Sequence, residues 1–275
     1  MAHLDLHLHT TYSDGTLSPE ELVAEAAARG VTLIAVTDHD EVGGVRPAQQ
    51  AGHALGVTVL SGVEINTEVG ANEVHILGYG FLAASPVLAV GLRDMRAARV
   101  ERLEKIVARL NSLGYPLDIA RVLAIAGHGS VGRPHIARAL VEAGHVTDMN
   151  AAFDRLIGNR KPAYVPRRQT TPEAAIALVH RAGGIASLAH PAKLGDPPTM
   201  IRRLVAAGLD ALEAYHSDHS AAATERMLAL ARRHQLAVTG GSDSHGPHGP
   251  RPISVGAVPV PDEVGDALLA LLAAR

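Results

Sequence analysis

Two histidines one residue apart, in His3-Leu-Asp-Leu-His-Leu-His-Thr10, constrain this chain more than any other stretch. Leu4, Leu6 and Leu8 alternate with Asp5, His7 and His9, the period of a β-strand with distinct faces. His7 and His9 therefore leave the same side of one strand end, close enough to share a cation. Asp14 follows in a Ser-Asp-Gly turn that folds back over that end. Further along, strand-like runs repeatedly end in, or lead into, His, Asp or Glu. An isolated H-x-H could be a solvated strand edge, but the repetition points to a metal site.

The rest of the chain reads as alternating strands and helices. Ser18-Pro-Glu-Glu21 has the form of a capping box with Pro at the first helical position, and that helix should end near Gly30. Residues 32–37 form a short apolar, β-branched strand that delivers Asp38-His-Asp40. A helix over about 44–55 precedes a third strand at 57–61, which leads to Glu64, and a fourth at 74–78 carries His75. No strand pattern appears from about 85 to 164. Residues 86–113 read as one long helix, with two or three shorter ones after it. Alternation resumes at Thr171-Pro-Glu173, a further helix start. Strands near 185–189, 210–214 and 237–239 then lead to His190, to His216, and to Asp243 and His245. Such alternation argues for parallel strands. In a closed α/β barrel the chemistry gathers at the strand carboxyl ends, where these residues fall. The expectation is a barrel built from residues 1–84 and 165–275, with 85–164 as a helical insertion capping it.

Composition narrows the class. The chain has 275 residues, a size that suits one α/β barrel. With 47% apolar but only 3% aromatic residues, its core must be built from Ala, Leu and Val. A net charge of -3 argues against general affinity for duplex DNA or membranes, so any anion site must be local. There is no cysteine, which removes disulfides and thiolate metal sites and is compatible with the cytosol. Neither a signal-peptide core nor an apolar run of about 18 residues is found, so a soluble, cytoplasmic protein is expected.

The candidate ligands are His7, His9, Asp14, His39, Glu64, His75, His190, Asp243 and His245, with His216 open. A catalytic zinc needs three protein ligands and a water. This set exceeds one ion's requirement, so two or three divalent ions are expected, with a carboxylate such as Glu64 bridging. Imidazole mixed with carboxylate suits Mn²⁺, Zn²⁺ or Fe²⁺. Ions about 3.5–4 Å apart stabilise both the attacking and the departing oxygen of an in-line displacement at phosphorus.

His7-x-His9 with Asp14, the Thr-Asp-His-Asp run ending at Asp40, Gly-Val-Glu64, His75, His190-Pro and Ser-Asp-Ser-His245 resemble the successive motifs of the PHP (polymerase and histidinol phosphatase) family. The resemblance implies a distorted seven-stranded β/α barrel with up to three metals that hydrolyses phosphate esters, Mn²⁺ being the first choice. It carries metal roles onto the nine positions above, with Asp14 and His39 also among the catalytic candidates.

Within the insertion, Arg96, Arg99 and Arg102 recur every three residues, either as a basic stripe or as a solvated face beside Glu101 and Glu104. Arg133 and His135 lie at a predicted helix start, where backbone N–H groups favour anions, and Lys193 follows His190-Pro191. This arrangement resembles the branch of the family that removes the 3′-phosphate from nucleoside 3′,5′-bisphosphates, which implies that these residues grip the phosphate that is not cleaved. The implied mechanism is attack by a hydroxide held between the ions, with His135, Asp40 or His216 donating a proton to the leaving hydroxyl. Histidinol phosphate hydrolysis, 5′-to-3′ trimming of short RNA and a non-catalytic metal-binding module are the alternatives. The expected partner is a small nucleotide or a short RNA, and the sequence does not set an oligomeric state.

Overall fold

The computed structural model describes residues 3–70, 72–82, 85–127, 130–166, 170–249 and 252–275. Seven strands lie side by side in chain order: β1 (Leu4–Leu8), β2 (Leu33–Val36), β3 (Thr58–Val69), β4 (Asn72–Tyr79), β5 (Ile185–Leu188), β6 (Ala211–His216) and β7 (Ala237–Gly241). The first and last come back together. His9 N–H donates to the Ser244 carbonyl and Asp243 N–H to the His7 carbonyl, both at 3.0 Å. The sheet thus rolls up into the nearly closed α/β barrel expected. Gly241 permits the final approach, because a Cβ there would lie 2.4 Å from the His7 nitrogen. The buried Asp5 carboxylate accepts from the N–H groups of Ser242 (2.9 Å) and Gly256 (2.8 Å), fastening β1 to the segments that follow β7.

The expectation of parallel strands holds for β1–β2–β3 and for β5–β6–β7, and fails in between. β4 runs antiparallel to both neighbours, pairing Glu64 with Leu77 on one side and Ile76 with Leu188 on the other. The third strand extends well beyond residue 61 because it continues directly into this hairpin, without a crossover helix. Gly70, at φ +62, turns the chain there, a conformation that costs glycine little.

Helices α1 (Pro19–Ala28) and α2 (Val45–Leu55) follow β1 and β2. The capping box exists: the Ser18 hydroxyl accepts from Glu21 N–H, and the Glu21 carboxylate accepts from Ser18 N–H. Such a cap contributes about 1 kcal/mol. After β4 come α3 (Pro86–Ser112), α4 (Ile119–Ala126), α5 (Arg133–Glu142) and the short α6 (Met149–Ala152). Their apolar faces, including Ile106, Leu110, Val122, Ile136 and Leu140, form with Ile157 just beyond α6 a cluster separate from those of the sheet. The proposed boundary at residue 84 lies outside the described residues. α7 (Pro172–Arg181), α8 (Pro197–Ala206), α9 (Ala221–His234) and α10 (Asp262–Ala273) complete the chain. Among the described residues no helix is long and apolar enough to cross a membrane.

Candidate metal centre and phosphoester site

The nine expected ligand residues come together at one end of the barrel. His7 and His9 leave β1 with ring centroids 5.2 Å apart. Asp14 follows in a tight turn that needs Gly15, where a Cβ would stand 2.4 Å from the His9 carbonyl oxygen. His39 comes from the loop after β2, His75 from β4, His190 from the loop after β5, and Asp243 and His245 from the loop after β7. Three residues here, Asp40, His190 and Asp243, have positive φ (51°, 30° and 56°). Non-glycine residues in that region carry strain that only surrounding contacts can hold.

Glu64 is the centre of the cluster. One carboxylate oxygen lies 3.3 Å from His7 Nε2, 3.3 Å from His9 Nε2 and 3.0 Å from His39 Nδ1. The other lies 2.7 Å from His75 Nδ1 and 3.1 Å from His190 Nε2. Asp243 Oδ1 approaches His7 and His9 Nε2 at 3.5 and 3.3 Å, while Asp14 Oδ1 approaches His245 Nε2 at 3.3 Å. These atoms fall into overlapping groups: His9, Asp14, His39 and His245; His7, His9, Glu64 and Asp243; His39, Glu64 and His75.

The residues fit divalent cations on a specific ground. His7 Nε2, His9 Nε2, Asp14 Oδ1, His39 Nδ1 and Glu64 Oε2 are buried and make no hydrogen bond, although they approach one another within ion-pair distance. These atoms converge on common points rather than align in pairs, which is how ligands surround an ion. Buried polar atoms are otherwise nearly always hydrogen-bonded. The electrostatics agree. Burial disfavours the carboxylates of Glu64, Asp14 and Asp243, yet the surrounding imidazoles hold all three well below the usual range. Burial likewise disfavours protonated His9, but Asp243 and Glu64 push it up to about 10. His190, buried and beside Lys193 and His75, is held down at about 4.

The basic residues are distributed differently from a single stripe. Arg99 is 5% exposed; its Nε donates to Asp40 Oδ2 at 2.5 Å, and its Nη2 donates to Asn66 Oδ1. Arg96 donates to the Asp40 carbonyl at 3.0 Å and pairs with Glu41 at 3.1 Å. Arg102 donates to the Val165 carbonyl at 2.7 Å and lies over the Tyr164 ring. Arg133 bonds Glu73 at 2.7 Å and Asn159 at 2.9 Å, and Lys193 pairs with Asp218 at 2.9 Å. The buried His135 accepts from Gly132 N–H at Nδ1, so its neutral ring carries the proton on Nε2; burial lowers its pKa. Both Asp40 oxygens accept hydrogen bonds, from Arg99 and from Asn66 N–H, which suits the ionised form more than a proton donor. His216 accepts from Asp218 N–H at Nδ1 and faces Asp243 Oδ2 with Nε2 at 3.3 Å.

Two residues escaped the sequence reading. Glu213, fully buried in β6, contacts both His7 and His190; an acid inside the apolar run Ala211-Leu-Glu-Ala214 was its signal. Asn66 lies two residues beyond Glu64 on the same strand face and meets His75 Nε2 at 2.8 Å.

A cavity of about 330 Å³ opens on the cluster, lined by His39, Glu64, His75, His190, Asp243 and His245 together with Glu73, Asn159 and Lys193. A second, of about 650 Å³, lies against the turn that carries Asp14 and is lined by Tyr12, Ser13, Thr16, His135 and Arg138 among others.

The PHP domain model matches residues 5–159. A 3′,5′-nucleoside bisphosphate phosphatase of Chromobacterium violaceum is 37% identical over 252 residues, covering 90% of this chain and 88% of the relative. The 5′-3′ exoribonuclease Rnm of Escherichia coli is 36% identical, covering 88% of this chain and 85% of that protein. A phosphoribosyl 1,2-cyclic phosphate 1,2-diphosphodiesterase of Eggerthella lenta is 35% identical, covering 89% and 95%. Among solved structures, a Bifidobacterium adolescentis protein assigned as a metal-dependent phosphoesterase superposes with a TM-score of 0.88 at 33% identity, covering 97% of this chain and 95% of that one. A Chromobacterium violaceum protein described as an amidohydrolase, with bound sulfate and no metal, also gives 0.88, at 34% identity and 98% and 96% coverage.

Proposed function

The chain belongs to the PHP domain family and is a metal-dependent phosphoesterase, and from that premise we propose that it removes the 3′-phosphate from nucleoside 3′,5′-bisphosphates. The observation that carries this reading is the make-up of the smaller cavity. It joins the ligand cluster to Lys193, which lies 3.6 Å from Asp243, and to Glu73 and Asn159, both bonded by Arg133. A substrate phosphate can rest on the cluster while a second one meets the Lys193 and Arg133 edge of the cavity. His7, His9, Asp14, His39, Glu64, His75, His190, Asp243 and His245 would hold two or three divalent ions, Mn²⁺ being the first choice. Such ions supply Lewis-acid charge and activate water.

The protein's own groups orient the ester and manage its proton. His135, with its Nε2–H near the Asp14 turn, is the candidate donor to the leaving 3′-oxygen. Lys193, on the cavity wall, and Arg133, through a guanidinium now shared with Glu73 and Asn159, would hold the remaining phosphate; a hydrogen bond to a charged group contributes about 1.5–3 kcal/mol. Arg96, Arg99 and Arg102 brace Asp40, Asn66 and Val165. A cationic amino alcohol ester, such as histidinol phosphate, would gain nothing from the Lys193 and Arg133 edge.

A second reading draws on the larger cavity. A phosphodiester carries a substituent on each side of phosphorus, and a cavity against the Asp14 turn gives the second substituent room. Trimming of short RNA from the 5′ end would use both cavities.

The test is a phosphate-release panel with Mn²⁺ and a chelated control. It compares adenosine 3′,5′-bisphosphate, adenosine 3′-monophosphate, histidinol phosphate and short 5′-phosphorylated oligoribonucleotides. The proposal expects the highest kcat/KM on the bisphosphate. Faster turnover of the oligoribonucleotides would move the assignment to the second reading, and preference for histidinol phosphate would reject both.

A further inference from the structure

Glu213 meets the ligand cluster on the Nδ1 side of His7, whose Nε2 faces Glu64 and Asp243, and its ligand atoms lie close to those of His7 and His216. Its side chain is wholly buried in β6, and its two carboxylate oxygens serve two different chain segments. Oε1 lies 2.9 Å from His7 Nδ1, and Oε2 accepts the backbone N–H of His190 at 2.6 Å. A buried carboxylate is costly unless fully paired, and here each oxygen has a partner on a different segment.

We infer that Glu213 is a positioning residue that fixes His7 and His190 together, and so couples ligands of separate ions in the cluster. This rests on reading the cluster as a metal site. The argument for His7 is one of tautomer and aim. With Nδ1–H donated to Glu213, the ring must present the lone pair of Nε2, which points toward Glu64 and Asp243 at 3.3 and 3.5 Å. An outer carboxylate of this kind orients the ring and raises its basicity toward a metal.

The argument for His190 is one of backbone. Its φ of 30° is a strained value, and the hydrogen bond from its N–H to Glu213 is the contact that stabilises it there. That conformation brings His190 Nε2 to 3.1 Å from Glu64 Oε1, the oxygen that also meets His75. His7 instead meets Glu64 Oε2. One carboxylate in β6 therefore sets imidazoles on both arms of the central Glu64. His216, whose Nε2 faces Asp243, comes from the same strand.

Glu213→Gln tests this without a large change in volume. Glutamine offers one acceptor and one NH₂, whereas His7 Nδ1–H and His190 N–H both require acceptors. One of the two is left facing a donor. Metal affinity, measured by chelator competition and calorimetry with Mn²⁺ and with Zn²⁺, should fall about 10–100-fold. Zn²⁺-loaded wild type should show a slowly exchanging His7 Nδ1–H resonance in ¹⁵N-edited NMR, and the variant should lose or shift it. Glu213→Asp keeps two acceptors on a shorter arm and should recover part of the affinity; it also serves as the readout should the Gln variant not fold. Unchanged affinity in both variants, with the His7 resonance intact, overturns the inference. Wild type that binds no divalent ion overturns the metal reading beneath it as well, and the two failures are thereby told apart.

Discussion

Removing the Arg99 guanidinium tests whether the insertion's arginines serve the substrate or the fold. Its Nε is 2.5 Å from Asp40 Oδ2, and the two side chains are only 6% and 3% exposed. Deleting one member of a buried pair costs about 3–5 kcal/mol. Asp40 also accepts from Asn66 N–H at 3.0 Å, which favours the lower end. In chains of this order 1 kcal/mol moves Tm by about 2–4 °C, so Arg99→Ala should lower it by roughly 6–12 °C. Because Asp40 donates its N–H to the Glu64 carbonyl and adjoins His39, kcat/KM should fall by similar factors for adenosine 3′,5′-bisphosphate and for the 3′-monophosphate. The double variant Arg99→Met with Asp40→Asn removes both charges and should regain much of the stability, as replacing whole buried pairs often does. The assays are thermal melts by circular dichroism and steady-state kinetics on both substrates. A Tm within about 2 °C of wild type, with a loss confined to the bisphosphate, would refute the reasoning and return Arg99 to the phosphate grip.

Arg133→Ala should behave oppositely, costing about tenfold or more in kcat/KM on the bisphosphate with little change on the monophosphate and none in metal content. In chelated protein, His9 sits at about 10 against an ordinary 6.5. Its protonation therefore stabilises the fold fully below 6.5 and ceases to do so as pH rises through about 10, so the urea midpoint should fall on approaching pH 10. Metal uptake near pH 7.5 must then displace a proton from His9, and the calorimetric enthalpy should vary with the buffer's ionisation enthalpy; no dependence would contradict the assignment. Gly241→Ala should destabilise by about 1–3 kcal/mol, because its Cβ would meet His7 N at 2.4 Å and Asp5 Oδ1 at 2.8 Å where the barrel closes, and thermal melts would register it.

The alternation of Leu4, Leu6 and Leu8 with Asp5, His7 and His9 was enough to place two imidazoles together, since a strand's period of two allows no other arrangement. His39, His190, Asp243 and His245 were legible for a related reason: each follows an apolar run short enough to be only a strand. The environment of Arg96, Arg99 and Arg102 was not legible. Their spacing defines one helix face, but what docks against that face depends on Asp40, Asn66 and Val165, far away in sequence. Glu213 was hidden for the same reason, because its meaning lies in His7 and His190, which only the closed barrel brings to it.

The antiparallel hairpin explains the one ligand whose position the alternation misplaced. In a run of parallel βα units, a metal-binding carboxylate belongs in the loop after its strand, and Glu64 was expected there. Here β3 continues for 12 residues and pairs with β4 instead of turning into a helix. Glu64, Asn66 and Glu68 therefore occupy one face of a strand paired along its length with β4, and all three are buried. A carboxylate fixed on a strand can be approached from both neighbours: His39 is bridged to Glu64 from the β2 side, and His75 reaches it from β4. Five imidazoles meet its two oxygens, a density that a mobile loop could not hold. The break in the parallel pattern thus gives the cluster its fixed central bridge, while α3 and α5, which follow β4, reach its edge through Arg99 on Asp40 and Arg133 on Glu73.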